Sequence, residues 1–203
     1  FMPDLSHQLG LRRLFVGQDF ALGHNRQGNV TFLAEVGIEL GYSIQLIDPV
    51  SDQNGVISST RIRKYIRAGM VEEACQDLGR YYSVSGPVVH GDGRGRTINI
   101  PTANLDLQPE KLIPAKGVYA CWAWLAEKRM LAVTNIGTRP TFTSGEQVTH
   151  VETHLLDLHE EIYDQVLRLE FVQRLRDEQR FPSVDDLIAQ IHSDIDQTRK
   201  ILA

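Results

Sequence analysis

Apolar positions in the first eighty residues fall into short runs and helix-spaced stripes. Leu14-Phe15-Val16 is a compact run leading into Gly17-Gln18-Asp19-Phe20, the pattern of a strand and its exit turn. Past a Gly/Asn-rich turn, Phe32, Leu33, Val36 and Leu40 recur at the spacing of one helix face, and Gly41 supplies the stop. Ser43 to Ile47 predicts a second strand, closed by Asp48-Pro49. Ser58-Ser59-Thr60 offers caps for a helix through Arg61-Ile62-Arg63-Lys64-Tyr65-Ile66, ended by Gly69. Val71 to Leu78 predicts another short helix, ended by Gly79. Strand, helix, strand, helix is the order of an α/β unit with a parallel sheet.

From Tyr81 onward the pattern changes to strands. Tyr82, Val84 and Val88-Val89 are β-prone, and Val118–Leu125 and Met130–Ile136 are two runs parted by the polar turn Glu127-Lys128-Arg129. Val148–Leu156 and Val166–Leu175 add two strands with partial alternation. Many short strands with Gly/Pro punctuation indicate a sandwich or a closed barrel. Ser183 then caps a final helix whose apolar stripe is Val184, Leu187, Ile188, Ile191, Ile195 and Leu202. The change of pattern sets a domain boundary at Gly79-Arg80, giving segments 1–79 and 80–203.

Composition narrows the class. The 203 residues are 42% hydrophobic and 23% charged, ordinary for a globular protein and inconsistent with a mainly disordered chain. A net charge of -5, from 21 basic and 26 acidic residues, argues against a nucleic-acid coat or an anionic-membrane binder. The longest apolar run, Val118 to Ala126, is nine residues, about half of the ~18 needed to span a bilayer. No basic region followed by an apolar stretch marks a secretion signal at the start. Cys75 and Cys121 lie far apart without a CxxC pattern, which points to a reducing cytoplasm rather than a disulfide framework. The chain opens Phe1-Met2-Pro3, without an initiator methionine, as expected if residues precede it. Nothing in the pattern specifies an oligomeric state.

Four stretches carry candidate chemistry. In His90-Gly91-Asp92-Gly93-Arg94-Gly95-Arg96, alternate glycines let the backbone approach a ligand, and two arginines supply charge for phosphate. The competing reading is a flexible hairpin loop, since neither a P-loop nor a dinucleotide fingerprint is present. In Ile100-Pro101-Thr102-Ala103-Asn104-Leu105, a hydroxyl and an amide two residues apart in an extended segment suit Mg²⁺, with a plain loop turn as the alternative. His150-Val151-Glu152-Thr153-His154 places three polar groups on one strand face. That face is a zinc site, a single acid/base carboxylate with polar neighbours, or an exposed polar edge. Thr138-Arg139-Pro140-Thr141-Phe142 and Leu175-Arg176-Asp177-Glu178-Gln179-Arg180-Phe181 pair arginine with an aromatic, as a ring-binding pocket or surface ion pairs would.

Taken in order, these motifs resemble riboflavin kinase. They run from the Gly-rich loop and Pro-Thr-Ala-Asn, through Gly117-Val118-Tyr119, to Asn135-Ile136-Gly137-Thr138-Arg139-Pro140-Thr141-Phe142. Val151-Glu152-Thr153-His154-Leu155-Leu156-Asp157 and Leu175–Phe181 complete the series. With Val16–Gly23 and Ile57–Arg63 added, the whole chain is similar to the bacterial bifunctional riboflavin kinase/FAD synthetase, starting midway through its adenylyltransferase module. The resemblance implies a partial Rossmann-like nucleotidyltransferase layer in 1–79. In 80–203 it implies a Greek-key antiparallel β-barrel kinase with a C-terminal helix. It implies Mg²⁺ and the substrates ATP, riboflavin and FMN. It assigns ATP binding to Gly91, Arg96, Thr102 and Asn104, with metal at Thr102 and Asn104. Glu152 is the catalytic base, and Leu155, Asp157, Tyr163, Arg176 and Phe181 contact the flavin. Asp19, Ser59, Thr60 and Arg63 match the ATP-binding segments of the adenylyltransferase module, and the zinc reading recedes.

Two departures matter. Asn99 stands where the family has glycine before Pro-Thr-Ala-Asn, and asparagine tolerates positive φ, so the loop is expected to keep its course. The His-x-Gly-His motif that steadies ATP in the adenylyltransferase is absent, and Gly23-His24 belongs to a later motif. The chain as given is therefore expected to make FMN but not FAD. The alternatives are a non-enzymatic flavin-binding barrel, which ATP consumption with riboflavin would exclude, and an oligonucleotide-binding barrel, which the charge disfavours.

Overall fold

A computed structural model describes residues 2–91, 93–140 and 147–203, with the side chains of Arg94, Arg139, Pro140, Gln147 and Val148 outside the description. These residues form two compact units, Phe1–Ile57 and Ser58–Ala203.

The first unit contains α1 (Met2–Leu9), β1 (Arg13–Gly17), β2 (Ala21–Leu22), β3 (Gly28–Asn29), α2 (Val30–Leu40), β4 (Ser43–Ile47), β5 (Ser51–Asp52) and β6 (Gly55–Val56). β1 and β4 pair in parallel, Leu14 opposite Ile44 and Val16 opposite Leu46, with α2 as the crossover between them. The Asn29 side chain caps α2 by accepting from the Phe32 N–H at 3.0 Å, and Gly41 ends it in the left-handed region at φ 76. Leu33 packs with Met2 and Tyr42 as the core of this unit. The expected α/β layer is present, and α1 precedes it where the sequence pattern gave no signal.

The second unit opens with α3 (Ser59–Ala68) and α4 (Val71–Leu78). The Ser58 hydroxyl accepts from the Arg61 N–H at 3.2 Å, Gly69 and Gly79 end the two helices at positive φ, and Arg61 pairs with Asp77 at 2.9 Å. Seven elements follow: β7 (Tyr82–Val89), α5 (Arg94–Thr97), β8 (Ala103–Leu105), β9 (Gly117–Leu125), β10 (Lys128–Pro140), β11 (Gln147–Leu155) and β12 (Val166–Arg176). Helix α6 (Val184–Ile201) closes the chain.

The six strands close into an antiparallel barrel in the order β10-β11-β8-β7-β12-β9. Closure removes every sheet edge, which a set of short strands otherwise leaves open to aggregation. Alternate side chains point inward: Tyr119, Cys121 and Ala123 from β9, Leu167, Leu169 and Phe171 from β12, Val151 and Leu155 from β11. Tyr119 meets Phe171 edge to face at 5.4 Å. The buried Thr134 and Thr153 hydroxyls satisfy each other across β10 and β11 at 2.9 Å. Outside the barrel, Ile195 of α6 packs on Val118, Val133 and Leu156.

Three details differ from the sequence pattern. Val71 of α4 is fully buried in the barrel core, so the compact unit starts at Ser58, ahead of the 79/80 division. The Gly-rich loop contains the helical turn α5, and Pro101–Leu105 ends in β8, a strand of three residues that closes the barrel between β11 and β7. Along α6, Val184 is exposed and the deepest residues are Asp194 and Thr198. Asn99 takes φ 58, as the loop's course requires of the residue replacing glycine.

Candidate functional site

Strand register builds the site. Direct cross-strand partners run Arg176–Val118, Val118–Asn135, Asn135–Glu152, Glu152–Asn104 and Asn104–Val89, a single row through all six strands. Directly paired residues share a face. The chain neighbours of Asn135, Glu152 and Asn104 (Thr134, Ile136, Val151, Thr153, Ala103, Leu105) are buried inside, so the row faces outward. Val118 lies under α6, while Asn135, Glu152 and Asn104 are half-buried.

At one end of the row the Gly-rich loop folds onto β8. A Cβ on Gly91 would overlap the Asn104 amide, and one on Gly95 would overlap the Ile100 carbonyl. The Ile100 N–H donates to the Gly95 carbonyl at 2.8 Å, so these glycines serve close approach rather than slackness. His154 Nδ1–H donates to the Pro101 carbonyl at 2.7 Å, which anchors the start of Pro-Thr-Ala-Asn to β11. Asn104, Gly91 and His150 border an outer depression of about 550 Å³. Thr102 borders a separate cavity of about 70 Å³ with Arg96, Leu155 and Tyr163.

At the mouth of that cavity, Arg96 Nη2 donates to Glu161 at 2.7 Å and to the Tyr163 hydroxyl at 3.0 Å, and His90 stacks on Tyr163 at 3.9 Å. The Glu161 hydrogen bond, with Tyr163 adding to it, raises the Arg96 pKa, so its guanidinium stays charged at any ordinary pH. The Thr102 hydroxyl and the Asn104 amide, two residues apart in the chain, are neutral oxygen donors, and Asn104 is paired directly with Glu152. That donor set fits a hard divalent cation completed by phosphate and water. Among the described residues no group of three or more His, Cys, Asp or Glu is placed to hold a metal.

The five flavin-type positions do not form one cluster. Leu155 and Tyr163 share the cavity of Arg96 and Thr102. Arg176 forms a forked pair with Asp194 at 3.0 and 2.8 Å, donates to the Asp177 carbonyl at 3.0 Å, and lies 5.7 Å over the Phe181 ring. Asp157 takes φ 62 and accepts from Arg199 at 2.7 Å, a hydrogen bond that holds its carboxyl below the usual range.

Of the adenylyltransferase-type positions, Asp19 lies in the first unit, where its carbonyl accepts from Arg26 at 2.6 Å. Ser59, Thr60 and Arg63 lie on α3 of the second, with Arg63 donating to the Thr60 hydroxyl at 3.4 Å. Asp92, Thr141, Phe142 and the side chains of Arg94, Arg139 and Pro140 lie outside the described residues. Two residues of the row's surroundings escaped the sequence reading: Asn135, hidden inside a longer motif, and Asp194, a polar residue at a stripe position between Ile191 and Ile195.

The second unit is thus a closed six-stranded antiparallel barrel with a carboxylate, two amides and a Gly-rich loop on its outer face. The chain belongs to the riboflavin kinase family, whose model (Flavokinase) matches residues 78–202; an FAD synthetase family model matches residues 1–61. A bifunctional riboflavin kinase/FMN adenylyltransferase from Escherichia coli K12 is 39% identical over 196 residues, covering 96% of this chain and 62% of that protein. The protein of the same name from Listeria monocytogenes is 36% identical over 203 residues, covering 100% of this chain and 64% of that one. The chain thus spans about three fifths of the length of these relatives. A crystal structure described as a macrolide-efflux protein from Streptococcus pneumoniae matches with TM-score 0.80 at 35% identity, covering 90% of this chain and 58% of that one. Among the described residues no helix is long and apolar enough to cross a membrane.

Proposed function

We propose that the chain transfers the γ-phosphoryl group of ATP to the 5′-hydroxyl of riboflavin, giving FMN and ADP. The observation that carries this reading is the direct pairing of Glu152 with Asn104 across β11 and β8, beneath the Gly-rich loop. A primary hydroxyl is a poor nucleophile, and Glu152 accepts its proton as the new bond to phosphorus forms. Thr102 and Asn104 would hold Mg²⁺, which when bound neutralises charge on the transferring phosphates. Gly91 and the loop around it admit the phosphates, and Arg96 exchanges its Glu161 partner for them. The flavin ring meets Arg176 and Phe181, while Leu155 and Tyr163, in the Arg96 cavity, and Asp157, held by Arg199, are assigned to the flavin by the family resemblance alone.

The family resemblance extends the proposal to the longer form of the protein, which would adenylylate FMN to FAD using segments that include Asp19, Ser59, Thr60 and Arg63. The working compartment is the cytoplasm, and the partners are small molecules rather than nucleic acid or membrane. Incubation with riboflavin, ATP and MgCl₂, followed by chromatography, is expected to yield FMN and ADP in equal amounts. Flavin binding without ATP consumption would refute the kinase reading.

A further inference from the structure

We infer that Asn135 and Glu178 form a subsite for the polyhydroxylated side chain of the flavin, an inference that rests on the kinase reading above. The row gives the substrate a direction. The aromatic and guanidinium groups lie at its Arg176–Phe181 end, and Glu152 lies three strands away. At about 4.8 Å per strand that is roughly 14 Å along the wall, so the segment of substrate next to the reacting hydroxyl passes over β10. Val118, the β9 member, is apolar and covered by α6. Asn135 is therefore the first polar member of the row on that path, one strand from Glu152.

Gly137 shares the outward face of β10 with Asn135, two residues on. A Cβ at Gly137 would overlap the Glu178 carboxylate and lie 3.4 Å from Asn135 Nδ2. The bare backbone at Gly137 is thus what lets the Glu178 carboxylate rest against β10 beside the Asn135 amide. An amide that both donates and accepts, next to an anionic acceptor, matches hydroxyls, each of which donates one hydrogen bond and accepts others. The Glu178 carboxylate repels a phosphate, which leaves the hydroxylated segment as the part of the substrate that suits the pair.

The test compares riboflavin with a flavin carrying a 5-hydroxypentyl chain, which keeps the ring and terminal hydroxyl and lacks the intermediate hydroxyls. The readout is the ratio of kcat/KM for the two substrates. Asn135→Ala should lower the preference for riboflavin about 3- to 10-fold, the worth of a neutral hydrogen bond, and Glu178→Ala about 10-fold or more. Gly137→Ala should act like Glu178→Ala while keeping both polar groups, because it displaces the carboxylate. The KM for ATP should stay unchanged throughout. Glu152→Gln should slow both flavins alike and keep the ratio. Equal losses on both substrates in the Asn135 and Glu178 variants, or no loss on riboflavin, would overturn the subsite. If the unaltered protein phosphorylates neither flavin, the kinase reading has failed instead. The same ratio is then read from Kd values by quenching of flavin fluorescence, with the same outcomes deciding for or against the subsite.

Discussion

Glu152 is half-buried between two amide side chains, Asn135 on one neighbouring strand and Asn104 on the other. That setting leaves the residue half-exposed on the outer face, between two amide-bearing strands. Glu152→Gln preserves the shape and most hydrogen bonding of the group but cannot accept a proton. Its kcat is expected to fall by at least ~10²-fold, the lower end of general-base assistance, with riboflavin and ATP affinities by calorimetry nearly intact. Near-normal turnover would leave Glu152 a positioning role only. Cys121 illustrates the opposite environment. Burial inside the barrel pushes its thiol up to about 12, with the Thr134 hydroxyl offsetting a little of the shift. The thiolate is the reactive form, so Cys121 should resist Ellman's reagent at pH 8 until the protein unfolds, whereas the half-buried Cys75 reacts in the native state. Because the folded value is raised, the buried thiol's contribution to stability is fully present below the unfolded thiol pKa of ~8.5 and is lost as pH climbs toward the folded value. Unfolding midpoints measured from pH 8 upward should therefore decline less steeply in Cys121→Ala than in the unaltered chain. Identical slopes would mean that Cys121 does not govern the alkaline limb.

At the scale of elements, α6 is fastened to the barrel by one buried charge pair as well as by apolar packing. Asp194 is 1% exposed and accepts from Arg176 at 3.0 and 2.8 Å and from Gln190 at 2.9 Å. Removing one partner of a buried pair strands the other charge, at a cost of about 3–5 kcal/mol. Asp194→Ala should lose roughly that much in urea unfolding and weaken riboflavin binding more than ATP binding, since Arg176 also steadies Phe181. Unchanged stability would show that Ile195 and its neighbours hold the helix alone. The sequence pattern displayed α6 through Ser183 and its apolar spacing, yet it hid Asp194, because a carboxylate on a stripe position looks like a break in the stripe until its arginine is seen. The same contrast runs through the strands. β9, β10, β11 and β12 are long enough to show themselves by β-prone runs, whereas the three residues of β8 are too few for any alternation. The candidate groups Glu152, Asn104 and Thr102 were legible through their motifs. Their assembly was not, because register and shear decide which residues of distant strands become neighbours. The row from Arg176 to Asn104 exists only once the barrel closes, and Asn135 acquires a meaning only as the residue between Val118 and Glu152.

On the scale of the whole molecule, the pattern change at Gly79-Arg80 and the compact division at Ile57/Ser58 record different things. The first marks where helices give way to strands, close to residue 78, where the riboflavin kinase family match begins. The second marks where packing stops being shared. Helices α3 and α4 are tied together by Arg61 and Asp77, and the Ala115 N–H donates to the Ile66 carbonyl at 3.3 Å, joining α3 to the segment before β9. Val71 and Ala74 of α4 are fully buried, Val71 within the barrel's own core. A barrel cut at residue 80 would therefore expose part of its interior. Full burial of a valine side chain is worth about 1.5–3 kcal/mol, before the alanine and the hydrogen bond to Ile66 are added. The fragment 58–203 is accordingly expected to be more stable in urea than 80–203 by at least about 2 kcal/mol, with a larger m-value because it exposes more surface on unfolding. Both fragments retain every residue assigned to the phosphoryl transfer, so FMN formation should survive in 58–203 and decline in 80–203 in step with its folded fraction. Equal urea midpoints would mean that α3 and α4 are passengers on the barrel and that the boundary at Gly79-Arg80 is also the boundary of folding.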